Sequence, residues 1–430
     1  MASYHIWTIG CQMNKAESAR LADRMEGMGY ISARRIEEAD IVVLNSCVVR
    51  EAAENRVLSK LESLSPVKRH RPEMTVALAG CFVDSEVAEL ERRFPHVDLF
   101  LRPGEFAALE DSARSRLRQR AAKRSASPLP PTAFVTVIEG CDNFCSYCIV
   151  PYRRGRERSR QIDEIHAQVE DLVGRGVKEV TLLGQNVDSY GHDLPEAPDL
   201  AHLLQELSPI RGLERIRLLT SHPKDMSLRL IQAVSSIDKV CELVSLPVQA
   251  GDDDILKAMG RCYTVEHYRR LVDLMRREIP GVALSTDVIV GFPGETEERF
   301  QRTLSLLSDL EFDGVHVAAY SPRSGTQASR VLEDDVPLTV KRRRLQTVEG
   351  LQREIASAIN SKLLGHTLEV LVECDKQGKW QGRTRTGKLV FFKHEADCLG
   401  QLVDVEIQKT SPWSLQGAVR RTARIFGDGE

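Results

Sequence analysis

Apolar and polar positions along the chain change their period twice. From residue 4 to about 110, short apolar runs at 5–9, 41–44 and 75–79 alternate with stretches that place apolar residues on one helical face, such as 17–28 and 52–64. This alternation predicts βαβ units and a parallel sheet. A second alternating region has strand-like runs at 134–138, 179–183, 215–219, 243–246, 283–290 and 314–319. Six strands with intervening helices predict a partial (β/α)6 barrel, closed by a helix over 338–363. From about 367 to 419 the pattern becomes short β-like runs with Gly turns, at 368–372, 389–392 and 402–407. That predicts a small OB-like β-barrel. The fold class is therefore multidomain α/β: a flavodoxin-like parallel domain over 2–112, a linker over 113–131, a barrel over 132–362 and a terminal β-barrel over 363–426. The linker is basic and Pro-containing, with Arg114, Arg116, Arg118, Arg120, Lys123 and Arg124 ahead of Pro128, Pro130 and Pro131.

With 430 residues, 42% hydrophobic and 28% charged, the chain can bury two or three real cores. A net charge of -3 excludes a global basic field, so any nucleic-acid contact must come from local patches. The first residues enter a strand-like run without a basic stretch and a long apolar one, and no apolar run reaches the length of a membrane span. The expectation is a cytoplasmic, monomeric protein. Its ten cysteines then point to metal binding or catalysis rather than disulfides.

Cys141, Cys145 and Cys148 form a C-x3-C-x2-C run directly after an apolar strand. Three thiols this close read as a soft-metal site of the iron–sulfur kind. Three ligands leave one corner of a cubane cluster open for a non-protein group. The competing reading is zinc, which is usually held by paired C-x2-C units or by Cys with His; no second pair exists here. Cys11, Cys47 and Cys81 each follow a predicted parallel strand, which puts them on one sheet edge, where ligands bind in open α/β sheets. Three ordinary buried cysteines are the alternative. Cys241, Cys262, Cys374 and Cys398 lack such placement and read as structural.

Around these cysteines the sequence resembles the radical S-adenosylmethionine (SAM) methylthiotransferase family, most closely its tRNA-modifying MiaB branch. The motifs are long and ordered. They include Gly10-Cys11-Gln12-Met13-Asn14, Asn45-Ser46-Cys47, Ala79-Gly80-Cys81, Cys145-Ser146-Tyr147-Cys148, Leu183-Gly184-Gln185-Asn186, Ser221-His222-Pro223 and Gly291-Phe292-Pro293-Gly294-Glu295. The terminal barrel resembles a TRAM domain, with Gly382-Arg383-Thr384 and a late Gly417. Gln12-Met13-Asn14 is typical of this branch; Phe82-Val83-Asp84, Arg153 and Ala250 depart from its usual residues without touching a cluster ligand.

The resemblance implies two [4Fe–4S] clusters, one on Cys141, Cys145 and Cys148 that binds SAM, and an auxiliary one on Cys11, Cys47 and Cys81. It implies two SAM molecules per turnover, one as methyl source and one as radical source. The activity implied is methylthiolation of C2 of N6-isopentenyladenosine at position 37 of tRNA. It also implies an electron donor such as flavodoxin or ferredoxin, and a sulfur donor. Tyr147, Gly184, Gln185, Gly291 and Pro293 are the implied SAM neighbours. Arg154, Arg156, Arg158 and Arg160 read as a phosphate-contacting strip, and Arg383, Arg385 and Lys388, near Phe391 and Phe392, as an RNA-docking face. Arg342, Arg343 and Arg344 read as a solvated helix face. Two other readings compete: a methylthiotransferase acting on a threonylcarbamoyl-adenosine or a ribosomal-protein aspartate, and a non-catalytic RNA-binding iron–sulfur protein.

Overall fold

The computed structural model describes residues 2–46, 51–83, 87–117 and 129–422. Packing divides the chain into two compact units. The first holds the N-terminal sheet together with 139–142 and 148–156; the second holds 129–138, 143–147 and everything from 157 onward.

In the first unit, β1 (Ser3–Thr8), β2 (Ile31–Ser32), β3 (Ile41–Ser46), β4 (Thr75–Gly80) and β5 (Leu99–Leu101) pair in parallel in the order β2-β1-β3-β4-β5. This is the flavodoxin-like order. Every residue of β3 and β4 is buried, so both strands read as continuous apolar runs rather than alternating ones. Alternate residues still separate: Ile41, Val43, Ala77 and Ala79 join one core, and Val42, Leu44, Val76 and Leu78 the other. Helix α1 (Gln12–Gly27) follows β1, and α2 (Glu51–His70) continues through Pro66, past the predicted end.

In the second unit, six strands run in sequence order: β6 (Thr132–Thr136), β7 (Glu179–Leu183), β8 (Arg215–Leu219), β9 (Leu243–Ser245), β10 (Ala283–Val290) and β11 (Gly314–Ala319). They form two parallel three-stranded sheets, and a parallel Ile216–Val240 bridge joins the β8 and β9 arms. This is the expected (β/α)6 arrangement. Six of its helices start on side-chain caps: Asp199, Ser227, Asp252, Thr264, Thr296 and Thr326 each accept a backbone N–H three residues on. The long helix Leu338–Ser361 follows.

The closing barrel comprises β12 (Thr367–Asp375), β13 (Trp380–Thr384), β14 (Leu389–Lys393), β15 (Leu402–Thr410) and β16 (Leu415–Thr422), closed in the order β12-β13-β14-β16-β15. It is clamped to the catalytic barrel by buried arginines. Arg217 pairs with Glu179 at 2.7 Å and donates to Thr384 O and Arg385 O; Arg215 donates to Arg383 O and pairs with Glu369 at 2.8 Å. No helix among the described residues is long and apolar enough to cross a membrane.

Candidate metal centres

The first unit builds a sheet edge around two of the three N-terminal cysteines. Cys11 precedes α1, where the helix's free N–H groups favour a thiolate. Its Sγ contacts Asn14 Oδ1 at 3.1 Å. Buried Asn14 donates to Asn45 Oδ1 (3.0 Å) and Ser46 O (2.8 Å), while Asn45 donates back to Asn14 O (2.9 Å) and to Ser18 Oγ. Cys81 N donates to Ser46 O at 3.0 Å. Gly80, at φ +94°, makes this closure possible: a Cβ there would lie 2.4 Å from Ser46 O. The Met-Asn, Asn-Ser and Ala-Gly residues beside each cysteine are thus one hydrogen-bonded brace across three strand ends. Cys47 lies outside the described residues.

Behind this edge lies a buried ion pair. Arg154 Nη1 meets Glu17 Oε1 at 2.6 Å, with side chains 3% and 0% exposed. Burial pushes the Cys81 thiol up, and the Arg154 charge pulls it back down. Arg154 therefore does not belong to a surface phosphate strip; the carboxylate of Glu17 draws it inside. Of the other strip residues, Arg156 pairs with Asp142 at 2.7 Å, Arg158 is exposed, and Arg160 donates to Thr136 O and Gln168 Oε1.

In the C-x3-C-x2-C loop, Cys145 is buried and Cys141 and Cys148 are partly exposed. Ser146 fixes its middle: its N–H donates to Met259 O (2.9 Å), its hydroxyl to Ala258 O (2.7 Å), and its carbonyl accepts from Ala328 N (2.7 Å). Arg261, also buried, directs Nη1 at Cys145 Sγ (3.5 Å), Nη2 at Pro247 O (2.7 Å) and Nε at Tyr263 Oη (2.8 Å).

Nearby, the expected SAM neighbours fall on the strand-end loops. Gly184 follows β7, and a Cβ there would meet Ile138 Cγ2 at 2.4 Å. Gly291 follows β10 at φ +70°, its N–H donating to Glu295 Oε2, which Arg344 also holds at 2.8 Å. Pro293 lies in the turn so fixed. Tyr147 packs edge-on against Phe292 with ring centroids 6.5 Å apart. Arg344 is thus a buried brace of this turn, not part of a solvated face. Gln185 is half-buried beside Gly184.

Two buried groups with no role read from the sequence line the same barrel, one of them the His222 of the Ser221-His222-Pro223 motif. Asp188 accepts from Ser221 Oγ and His222 N, and burial pushes its carboxyl up to about 7. His222 accepts from Lys224 N at Nδ1, which leaves the proton on Nε2, and burial lowers its pKa to about 2. Nothing in the periodicity marks either; both follow strand ends.

The RNA-docking trio is differently placed. Arg385 pairs with Glu242 at 2.6 Å and Lys388 with Asp313 at 2.6 Å, both on the catalytic barrel. They fasten the terminal barrel in place. Arg383, 44% exposed, is 3.4 Å from Glu373. Phe392 is core, and Trp413 is the large exposed aromatic of this barrel.

Among the described residues, no three His, Cys, Asp or Glu side chains close on a single ion. Cubane ligands bind separate irons at separate corners, so they need not converge on one point. The described donors fit a cluster: thiols on braced loops, with the buried guanidiniums of Arg261 near Cys145 and of Arg154 near Cys81 and Cys11 to offset negative charge.

Three family models match the chain: the radical SAM superfamily over 135–307, the uncharacterized protein family UPF0004 over 3–102, and the TRAM domain over 361–419. A tRNA-2-methylthio-N(6)-dimethylallyladenosine synthase of Dehalococcoides mccartyi (strain ATCC BAA-2266 / KCTC 15142 / 195) is 52% identical over 97% of this chain and 98% of its own length. The chain belongs to the radical SAM methylthiotransferase family. Synthases of the same name from Chloroflexus aurantiacus and Moorella thermoacetica are 47% and 44% identical, each over 96% of this chain and 91% and 98% of their own lengths. Among solved structures, the radical SAM methyltransferase TsrM of Kitasatospora setae aligns at TM-score 0.52 and 15% identity, covering 74% of this chain and 73% of its own, a likeness of fold. Membership of the radical SAM superfamily implies SAM and a [4Fe–4S] cluster.

Proposed function

We propose that this methylthiotransferase adds a methylthio group to C2 of N6-isopentenyladenosine at position 37 of tRNA. The observation that carries this reading is the 52% identity, over nearly both full lengths, to a synthase named for that product. The proposed division of labour is an auxiliary-cluster domain over 2–112, a linker over 113–131, a radical SAM core over 132–362 and a TRAM domain over 363–426.

Cys141, Cys145 and Cys148 would hold the SAM-binding cluster, and Cys11, Cys47 and Cys81 the auxiliary one. When bound, these groups and two SAM molecules supply one-electron cleavage, hydrogen removal from an aromatic C–H, a methyl group and sulfur, none of which a side chain can provide. The protein's own contribution is placement. Arg261 holds a positive charge at Cys145, both side chains buried, where charge interactions are stronger than in water. The Gly291 turn, tied down by Glu295 and Arg344, and the Gly184 loop bring bare backbone to the strand ends, where Tyr147 and Gln185 would orient SAM. His222 is neutral at working pH and offers an Nε2–H inside the barrel. The exposed cations Arg158 and Arg383 would meet tRNA phosphates. An external flavodoxin- or ferredoxin-like reductant and a sulfur donor complete the system.

The test is an anaerobic assay with SAM, dithionite, sulfide and tRNA bearing N6-isopentenyladenosine, read by nucleoside mass spectrometry. A methylthio mass gain on that nucleoside is expected. SAM cleavage without the gain would move the substrate elsewhere.

A further inference from the structure

The Arg154–Glu17 pair is left half-closed. A guanidinium and a carboxylate match as a two-pronged fork, and burying both charges is costly unless every proton and lone pair is met. Only one prong is made: Nη1 to Oε1 at 2.6 Å. Arg154 Nη2 and Glu17 Oε2 are buried with no hydrogen-bond partner. A pair serving packing alone would gain by closing the second prong.

The Arg154 side chain lies within hydrogen-bonding reach of the Cys81 thiol and close enough for its charge to act on Cys11. Cys81 is itself fixed through its N–H to Ser46 O. Arg154 also ends the short helix Val150–Arg154, which begins two residues after Cys148. One segment therefore carries a thiol of the SAM-binding loop and the cation behind the N-terminal thiols.

We propose that Arg154 is a positioning residue of the auxiliary centre: its Nη2 donates to the sulfur at Cys81 when the cluster is bound, and its charge, tempered by Glu17, sets how readily that cluster accepts an electron. This rests on reading Cys11, Cys47 and Cys81 as cluster ligands. A nearby cation favours the more negative, reduced form; the carboxylate opposes it.

The test uses full-length Cys145→Ala protein, reconstituted anaerobically so that the auxiliary cluster is isolated, and titrated reductively with electron paramagnetic resonance detection. Arg154→Met should lower the reduced-to-oxidised ratio at fixed potential by about tenfold and change the resonance anisotropy. Arg154→Lys should recover much of the ratio but not the anisotropy, because it keeps the charge and loses the planar donor. Glu17→Gln should raise the ratio. A loaded Arg154→Met cluster with wild-type ratio and spectrum overturns the proposal. Should Arg154→Met fail to load, Glu17→Gln decides, and an unchanged or lower ratio there overturns it. Absence of iron from Cys145→Ala itself would instead fault the ligand reading, and the inference with it, before any Arg154 variant is made.

Discussion

Two of the buried guanidiniums that stand near thiols, Arg261 and Arg154, are held in opposite ways. Arg261 commits its three nitrogens to Tyr263 Oη, Pro247 O and Cys145 Sγ, so apart from the thiol its partners are neutral. Arg154 faces a carboxylate and keeps one nitrogen in reserve. The first arrangement leaves a net positive charge beside the C-x3-C-x2-C loop, which favours an electron-rich group there. In the second, the carboxylate tempers the cation, so its pull toward a more negative neighbour is weaker. The same residue type does different electrostatic work because of one glutamate, Glu17, buried on α1.

The largest expected effect breaks the N-terminal side alone. Gly80→Ala places a Cβ 2.4 Å from Ser46 O at φ +94°, which should cost about 3 kcal/mol locally. Iron held by the N-terminal cysteines should fall sharply while 5′-deoxyadenosine formation from SAM persists; iron analysis and chromatography of the two products check this. Next, Arg261→Met breaks the other side. It removes a charge-assisted bond of about 2 kcal/mol, and SAM cleavage should slow by roughly thirtyfold, with the N-terminal cluster's absorption unchanged.

A pH effect sharpens the comparison, because the barrel carries a buried neutral histidine. His222 has a folded pKa lowered to about 2. As pH falls below the ordinary value near 6.5, the unfolded chain takes up a proton that the folded one refuses, so stability is lost on the acid side. Between pH 6.5 and 5.5 this His222 contribution approaches about 1 kcal/mol; Asp188, raised to about 7, acts in the opposite sense in parent and variant alike, so the difference in thermal melting between the parent and His222→Asn across that range isolates it. The smallest effect separates Arg154 from its neighbours in sequence. Arg158→Ala should weaken tRNA binding a few-fold and reduce the slope of log affinity against log salt by about one; Arg154→Met should leave the slope unchanged, since a buried cation releases no counterion.

Much of the fold was legible because its signals are periodic. The fully buried β3 and β4 are apolar runs, and the six barrel strands recur in regular alternation with amphipathic helices. β5 and β2 are three and two residues long and carry no period. β13 and β16 contain Gly382 and Gly417, which look like turns in sequence. In the barrel each sits where a Cβ would strike a neighbouring backbone oxygen, Leu371 O at 2.2 Å and Glu406 O at 2.1 Å, so the glycines permit close strand packing. The cysteine sets were visible from spacing and strand-end position. The roles of Arg154, Arg344, Arg385 and Lys388 were not, because a charge in a sequence looks solvated until its partner is known. Glu17, Glu295, Glu242 and Asp313 lie 49 to 143 residues from the cations they capture.

The most direct measurement is a paired comparison of Cys145→Ala and Cys81→Ala, each reconstituted anaerobically and assayed for iron, for 5′-deoxyadenosine and for methylthiolated nucleoside. The account predicts that Cys145→Ala keeps roughly half the iron of the parent and makes no 5′-deoxyadenosine. Cys81→Ala should still cleave SAM and make no methylthiolated nucleoside. Continued 5′-deoxyadenosine formation in Cys145→Ala, or methylthiolated product from Cys81→Ala, would contradict the existence of two separate centres on these two sets of thiols.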